Sequence, residues 1–169
     1  MQCRIGLDDT DHVEFGCTTA TFDHLLTEIC QSMHCNVIER RLVRLWPFAR
    51  RRTRGNGALG AILDIPDDGA EKLEEICNKW FCKLLEQVAN HPPSEFPASP
   101  CLVISLEPTP DSWYWDAVRK HVDSRTLLED ATQRCLKVFR SETTFGVVGA
   151  CAAISWENSG NSSWELISW

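Results

Sequence analysis

Cys3, Ile5 and Leu7 alternate with Gln2, Arg4 and Gly6, and this period of two predicts a short strand over residues 2–7. The period then changes. Phe22, Leu25, Leu26, Ile29, Cys30 and Met33 recur at helical spacing, predicting a helix over 18–34 that Thr18 or Thr19 can cap. Asn36 to Trp46, rich in Val, Ile and Leu, predicts a second strand closed by Pro47, and Gly57 to Ile65 predicts a third. The clearest stripe is Leu73, Ile76, Cys77, Trp80, Leu84 and Val88, opposite Glu71, Lys72, Glu75, Lys79, Lys83 and Glu86, which predicts a helix over 68–89. His91 to Pro100, with four prolines, reads as a surface loop, and Cys101 to Leu106 as a fourth strand. Pro110 to Val122, with Asp111 or Ser112 as a cap, and Arg125 to Phe139 have helical character. Gly146 to Ile154 reads as a buried helix of small residues packed closely under a ligand, and Trp164 to Trp169 as a last strand. The fold class expected is α/β with an α+β-like mixed sheet: a β-α-β-β-α-β core of the split βαβ kind, both of its helices on one face, followed by C-terminal helices and a strand.

Composition adds bounds. A chain of 169 residues that is 43% hydrophobic suits one domain, 1–169, around one core. No apolar run approaches the roughly 18 residues needed to span a bilayer, and the N-terminus lacks the regions of a signal peptide, so a cytoplasmic protein with no membrane partner is expected. Nine cysteines are an odd number in a chain too long to need stapling. Most fall on predicted apolar faces, Cys30 and Cys77 among them, and read as reduced core thiols. The absence of any CxxC pair or Cys/His quartet argues against structural zinc.

Charge is uneven. The chain carries −7, yet Arg40, Arg41, Arg44, Arg50, Arg51, Arg52 and Arg54 put seven arginines into fifteen residues, leaving −14 on the remainder. Such a run can be a solvated face. Beside Gly55-Asn56-Gly57, which lets a backbone approach a ligand closely, it reads better as a phosphate contact.

The candidate chemistry begins at Asp8-Asp9-Thr10-Asp11, where three carboxylates leave a strand end and face a helix N-terminus. Alone, this could be a solvated turn. Carboxylates and an anion site are natural neighbours when a cation lies between them, and hard oxygen ligands suit magnesium with a nucleotide. Of the seven tryptophans, Trp46, between the second strand and the arginine-rich stretch, is the one placed for base stacking or for covering the sheet edge.

Gly6-Leu7-Asp8-Asp9-Thr10-Asp11, Gly16-Cys17-Thr18-Thr19, Arg41-Leu42-Val43-Arg44-Leu45-Trp46-Pro47, Arg52-Thr53-Arg54-Gly55-Asn56-Gly57-Ala58 and Gly146-Val147-Val148-Gly149-Ala150-Cys151-Ala152-Ala153 together resemble the motifs of the TiaS family. These archaeal synthetases attach agmatine to the wobble cytidine of an isoleucine tRNA. The likeness covers almost the whole chain and matches the family's N-terminal kinase-like domain; the ferredoxin-like, OB-fold and zinc-ribbon domains that follow in the family have no counterpart. It implies an ATP- and magnesium-dependent reaction in which the C2 carbonyl oxygen of cytosine is phosphorylated and then displaced by an amine. It implies Asp8, Asp9 and Asp11 as metal ligands and, with Thr18, as the catalytic set. Thr10, Thr18, Thr19, Arg52, Arg54, Gly55, Asn56, Gly57, Gly146 and Gly149 would meet ATP or its phosphates. Arg44, Trp46, Arg50 and Arg51 would meet nucleic acid, and the partners implied are ATP, tRNA along Arg40 to Arg54, and agmatine or another amine. Several positions depart from the family: Arg52 replaces its lysine, Trp46 its asparagine, and Arg50 and Arg51 a proline and an aromatic. Two further readings stay open: a stand-alone small-molecule kinase or ligase of the same fold, and a non-catalytic nucleotide- or RNA-binding module.

Overall fold

A computed structural model describes residues 1–52 and 55–155. Five strands, β1 (Gln2–Asp8), β2 (Asn36–Arg44), β3 (Gly57–Asp64), β4 (Cys101–Ser105) and β5 (Lys137–Arg140), form one sheet in the order β2-β3-β1-β4-β5. Every pairing among the described strands is antiparallel. β3 lies between β1 and β2, and β1 between β3 and β4, so the split βαβ core is present and the expected mixed sheet is specifically antiparallel.

The helices divide between the two faces. Alternation along β1 sends Cys3, Ile5 and Leu7 into a core with Phe22, Leu25, Leu26 and Ile29 of α1 (Thr18–Ser32) and Leu73, Cys77, Trp80, Phe81 and Leu84 of α2 (Ala70–Ala89). The other face is covered by α3 (Asp111–Arg119), α4 (Ser124–Gln133) and α5 (Gly146–Ser155). There α5 lies against the sheet at Gly6 and Gly60: a Cβ on Gly6 would sit 2.3 Å from the Ala150 carbonyl oxygen, and one on Gly60 2.4 Å from that of Ala153. β4 packs on both faces, which is why all five of its residues are buried and its sequence shows no alternation.

Four local expectations are corrected. The stretch 125–139 is not one helix. It ends at Gln133, Cys135 turns the chain with a left-handed φ of 60°, and Lys137-Val138-Phe139-Arg140 becomes the edge strand β5. Neither Thr18 nor Thr19 caps α1, whose N-cap is Cys17; Thr18 already has helical backbone and turns its hydroxyl to Asp11. Likewise Pro110, not Asp111 or Ser112, precedes α3. Cys30 is exposed, and only Cys3, Cys77, Cys101 and Cys151 of the nine are buried, because a cysteine on the margin of a helical stripe clears the sheet. The strand expected at 164–169 and Arg54 lie outside the described residues.

Candidate functional site

Alternation along β1 also builds the site. Leu7 points into the α1/α2 core, so Asp8 points to the other face, where Gly149 leaves room for it: a Cβ there would lie 2.1 Å from Asp8 Oδ2. Asp9 then takes a left-handed φ of 57°, a conformation that Asp tolerates better than most residues, and the chain turns away from the sheet. Gly16, at φ +81°, closes the loop back onto Asp11.

The three carboxylates take different partners. Asp11 Oδ1 accepts a 3.0 Å hydrogen bond from the Thr18 hydroxyl, which itself accepts one from Thr10 at 3.2 Å. Asp9 Oδ2 accepts a 3.1 Å charged bond from Arg51. Burial pushes the Asp8 carboxyl well above its usual range, and the neighbouring Asp9 and Asp11 push it further. Asp9 is also raised by burial, with Arg51 pulling against it. Among the described residues, no three His, Cys, Asp or Glu side chains converge as a metal cage. Magnesium asks for less, one or two carboxylates completed by phosphate oxygens and water.

Asp8, Asp9 and Asp11 line a pocket of about 250 Å³ together with Trp46, Arg50, Arg51, Arg52, Asn56 and Gly57 of the arginine-rich stretch. That stretch is held in place by its backbone. Leu45 N–H donates to the Asn56 carbonyl and Trp46 N–H to the Ala117 carbonyl at the end of α3, both at 2.9 Å, while Asn56 Nδ2 donates to the Trp46 carbonyl at 2.7 Å. Asn56, at φ 43°, thus serves the turn with its side chain and the pocket with its surface. Arg52 donates to the Pro47 carbonyl.

The basic run is not one patch. Arg40 pairs with Asp23, and buried Arg41 with Glu39 at 2.8 Å, so both serve the fold. Arg44 reaches the Gly55 carbonyl at 3.2 Å outside the pocket. Of the described arginines only Arg50, Arg51 and Arg52 line the pocket with the aspartates. Other expected contacts fall elsewhere. Gly146 and Gly149 are buried, with a Cβ at Gly146 blocked 2.3 Å away by the Ser99 carbonyl, so they serve close packing of α5 and do not line the pocket. Thr10 and Thr18 are buried beside Asp11, and neither they nor Thr19 reach the pocket wall.

Sequence reasoning missed a third group of lining residues. Lys120, His121 and Val122, just past α3, and Phe145 and Val148, at the start of α5, also line the pocket. The one available signal was the Lys120-His121 pair at a predicted helix end.

Comparison with known proteins gives a consistent answer. A model of the TiaS TCKD domain matches residues 4–76. Two isoleucine-tRNA 2-agmatinylcytidine synthetases, TiaS, are similar: that of Thermoplasma volcanium is 29% identical over 171 residues, covering 90% of this chain and 38% of the relative. That of Cenarchaeum symbiosum is 32% identical over 167 residues, 98% of this chain and 36% of the relative. The chain thus spans little more than a third of the length of these curated relatives. Among solved structures, a complex of TiaS with its isoleucine tRNA and ATP superposes with a TM-score of 0.80 at 24% identity, over 94% of this chain and 37% of that one. Apo TiaS gives 0.73 at 22%, over 94% and 36%. In sequence along its length and in fold, the chain resembles the N-terminal domain of the TiaS synthetases.

Proposed function

We propose that this chain is the nucleotide-handling, phosphoryl-transfer domain of a TiaS-type tRNA-modifying ligase, using ATP with magnesium. One observation carries the reading: the strand-end aspartates and three arginines, far apart in sequence, line one pocket. The relatives are named as 2-agmatinylcytidine synthetases of an isoleucine tRNA, and solved TiaS complexes hold ATP, or AMPCPP with agmatine.

The donor set fits the metal. The two raised carboxyls, Asp8 and Asp9, gain most from a nearby cation, and Asp8, Asp9 and Asp11, which line the same pocket, would hold it. When bound, magnesium supplies neutralisation of phosphate charge. The chain's own residues do the rest. Thr18 holds Asp11 in orientation through its hydroxyl, and to accept phosphate itself it would have to leave that bond. Arg50, Arg51 and Arg52 bring cationic donors towards the oxygens of a transferring group, as positioning-dominated phosphoryl transfer requires. Trp46 and Val122 give the pocket an apolar portion on which a flat ring can rest.

A fluorescent ATP analogue should bind wild-type protein in magnesium and be released by EDTA. Arg50→Glu with Arg51→Glu should abolish that binding, because both residues stand on the pocket wall. Retained ATP binding with loss of tRNA affinity would instead assign these arginines to nucleic acid.

A further inference from the structure

Arg51 has a more specific role than a generic basic residue, and four observations converge on it. Its guanidinium donates to Asp9 Oδ2 at 3.1 Å, and the two side chains keep only 21% and 18% of their exposure. It donates to the Pro97 carbonyl in the proline-rich loop. It lies over the Phe145 ring, 4.4 Å from the centroid, at the start of α5. Its Nε is buried with no hydrogen-bond partner among the described residues, so the guanidinium is not fully satisfied where it rests.

A cation that rests on a carboxylate of an acidic loop, braced by an aromatic face and a carbonyl, fills the electrostatic place that a divalent ion would take. Its bonds are of a kind that can be exchanged: one carboxylate oxygen, one carbonyl and a ring face, with no bidentate fork. We propose that Arg51 is the resident counter-cation of the acidic loop, neutralising Asp9 until a metal–nucleotide complex arrives, when the guanidinium exchanges the carboxylate for phosphate oxygens. The inference rests on reading the pocket as a metal–nucleotide site. It explains how the loop keeps three carboxylates together in the ligand-free protein, and it makes arginine, whose charge cannot be titrated away, the suitable residue. It also makes the metal dependent on the nucleotide: Mn2+ alone must compete with Arg51, whereas Mn2+ with ATP offers the guanidinium a new partner.

The test uses Mn2+ as the probe, read by electron paramagnetic resonance of the free ion and by thermal unfolding, with no activity assay. Wild-type protein should bind Mn2+ weakly without nucleotide. Arg51→Gln should bind Mn2+ alone on the order of tenfold more tightly, as removal of a close competing charge allows, and Mn2+ should raise its Tm more than that of wild type. Arg51→Lys, which keeps the charge, should stay near wild type. Phe145→Leu, which keeps Arg51 but removes the face it rests on, should give a smaller gain of two- to threefold and decides the matter should Arg51→Gln not fold. Mn2+ affinity in Arg51→Gln, or failing that in Phe145→Leu, equal to that of wild type overturns the proposal. If Mn2+ binds as expected and ATP binds no variant in any metal, the counter-cation stands and the nucleotide reading falls.

Discussion

The two faces of the sheet are packed by opposite means. Under α1 and α2 lie large, fully buried side chains, Leu25, Leu26, Ile29 and Leu73, set against Ile5, Leu7 and Leu63. Over the other face, α5 approaches so closely that Gly6, Gly60 and Gly149 have no room for a methyl group. The first arrangement stores stability in apolar volume. The second brings a helix backbone down onto the sheet and leaves a dry recess at the end of β1, where Asp8 is held against Gly149. The large apolar core and the candidate site therefore lie on different faces, with β1 shared between them through its odd and even residues.

Mutations should separate the two faces. Removing volume under α1 should have the largest effect on stability: Leu25→Ala is expected to lower unfolding free energy by about 3 kcal/mol, measured by urea denaturation, with ligand affinity unchanged at temperatures where the variant is folded. Over α5 the sign of the volume change reverses. Gly6→Ala adds one methyl where a carbonyl oxygen stands, and should cost about 2 kcal/mol, whereas the same substitution on a loosely packed helix would be neutral or stabilising. A Gly6→Ala protein as stable as wild type would mean that α5 can lift away, and the contrast between the faces would fail.

A smaller and opposite effect is expected at Asp8. Its carboxyl is raised in the folded protein, so the neutral acid is favoured by the fold. The stability this contributes is fully present below the ordinary value of 3.8 and is lost as pH rises through the folded value. At neutral pH, well above that ordinary value, the ligand-free protein has lost part or all of this contribution. Asp8→Asn should therefore stabilise it by about 1 kcal/mol near pH 7, with the gain vanishing below about pH 3.8, as measured by denaturation across that range. Equal stability of the two proteins at pH 7 would show that Arg51 already compensates the loop in full.

What the sequence revealed follows the same division. Along α1 and α2, large apolar residues recur with a helical period, and both helices were legible with their cores. The acidic loop and the Gly55-Asn56-Gly57 turn were legible because few other patterns demand such residues. The α3–α5 face was harder. Val138 and Phe139 serve cores on opposite sides of β5, yet four residues are too few to show a period, so the strand was absorbed into a helix. The close packing that Gly146 and Gly149 serve could not be separated in the sequence from a place beside a ligand, because glycine suits both. Lys120 and His121 could not be placed at the pocket by any local pattern, since the Trp46–Ala117 hydrogen bond that brings the end of α3 there joins segments 71 residues apart.

The central claim is that the face carrying α5 forms a metal-dependent nucleotide site at the strand-end aspartates. It is tested most directly by calorimetric titration of ATP, with and without magnesium, into wild-type protein and into an Asp8→Asn, Asp11→Asn double variant. Wild type should bind only with magnesium, and the double variant should lose at least about tenfold in affinity, roughly 1.4 kcal/mol, while keeping a cooperative unfolding transition. Affinity unchanged in the folded double variant, or equal with and without magnesium in wild type, would contradict the account and leave Asp8-Asp9-Thr10-Asp11 as a turn.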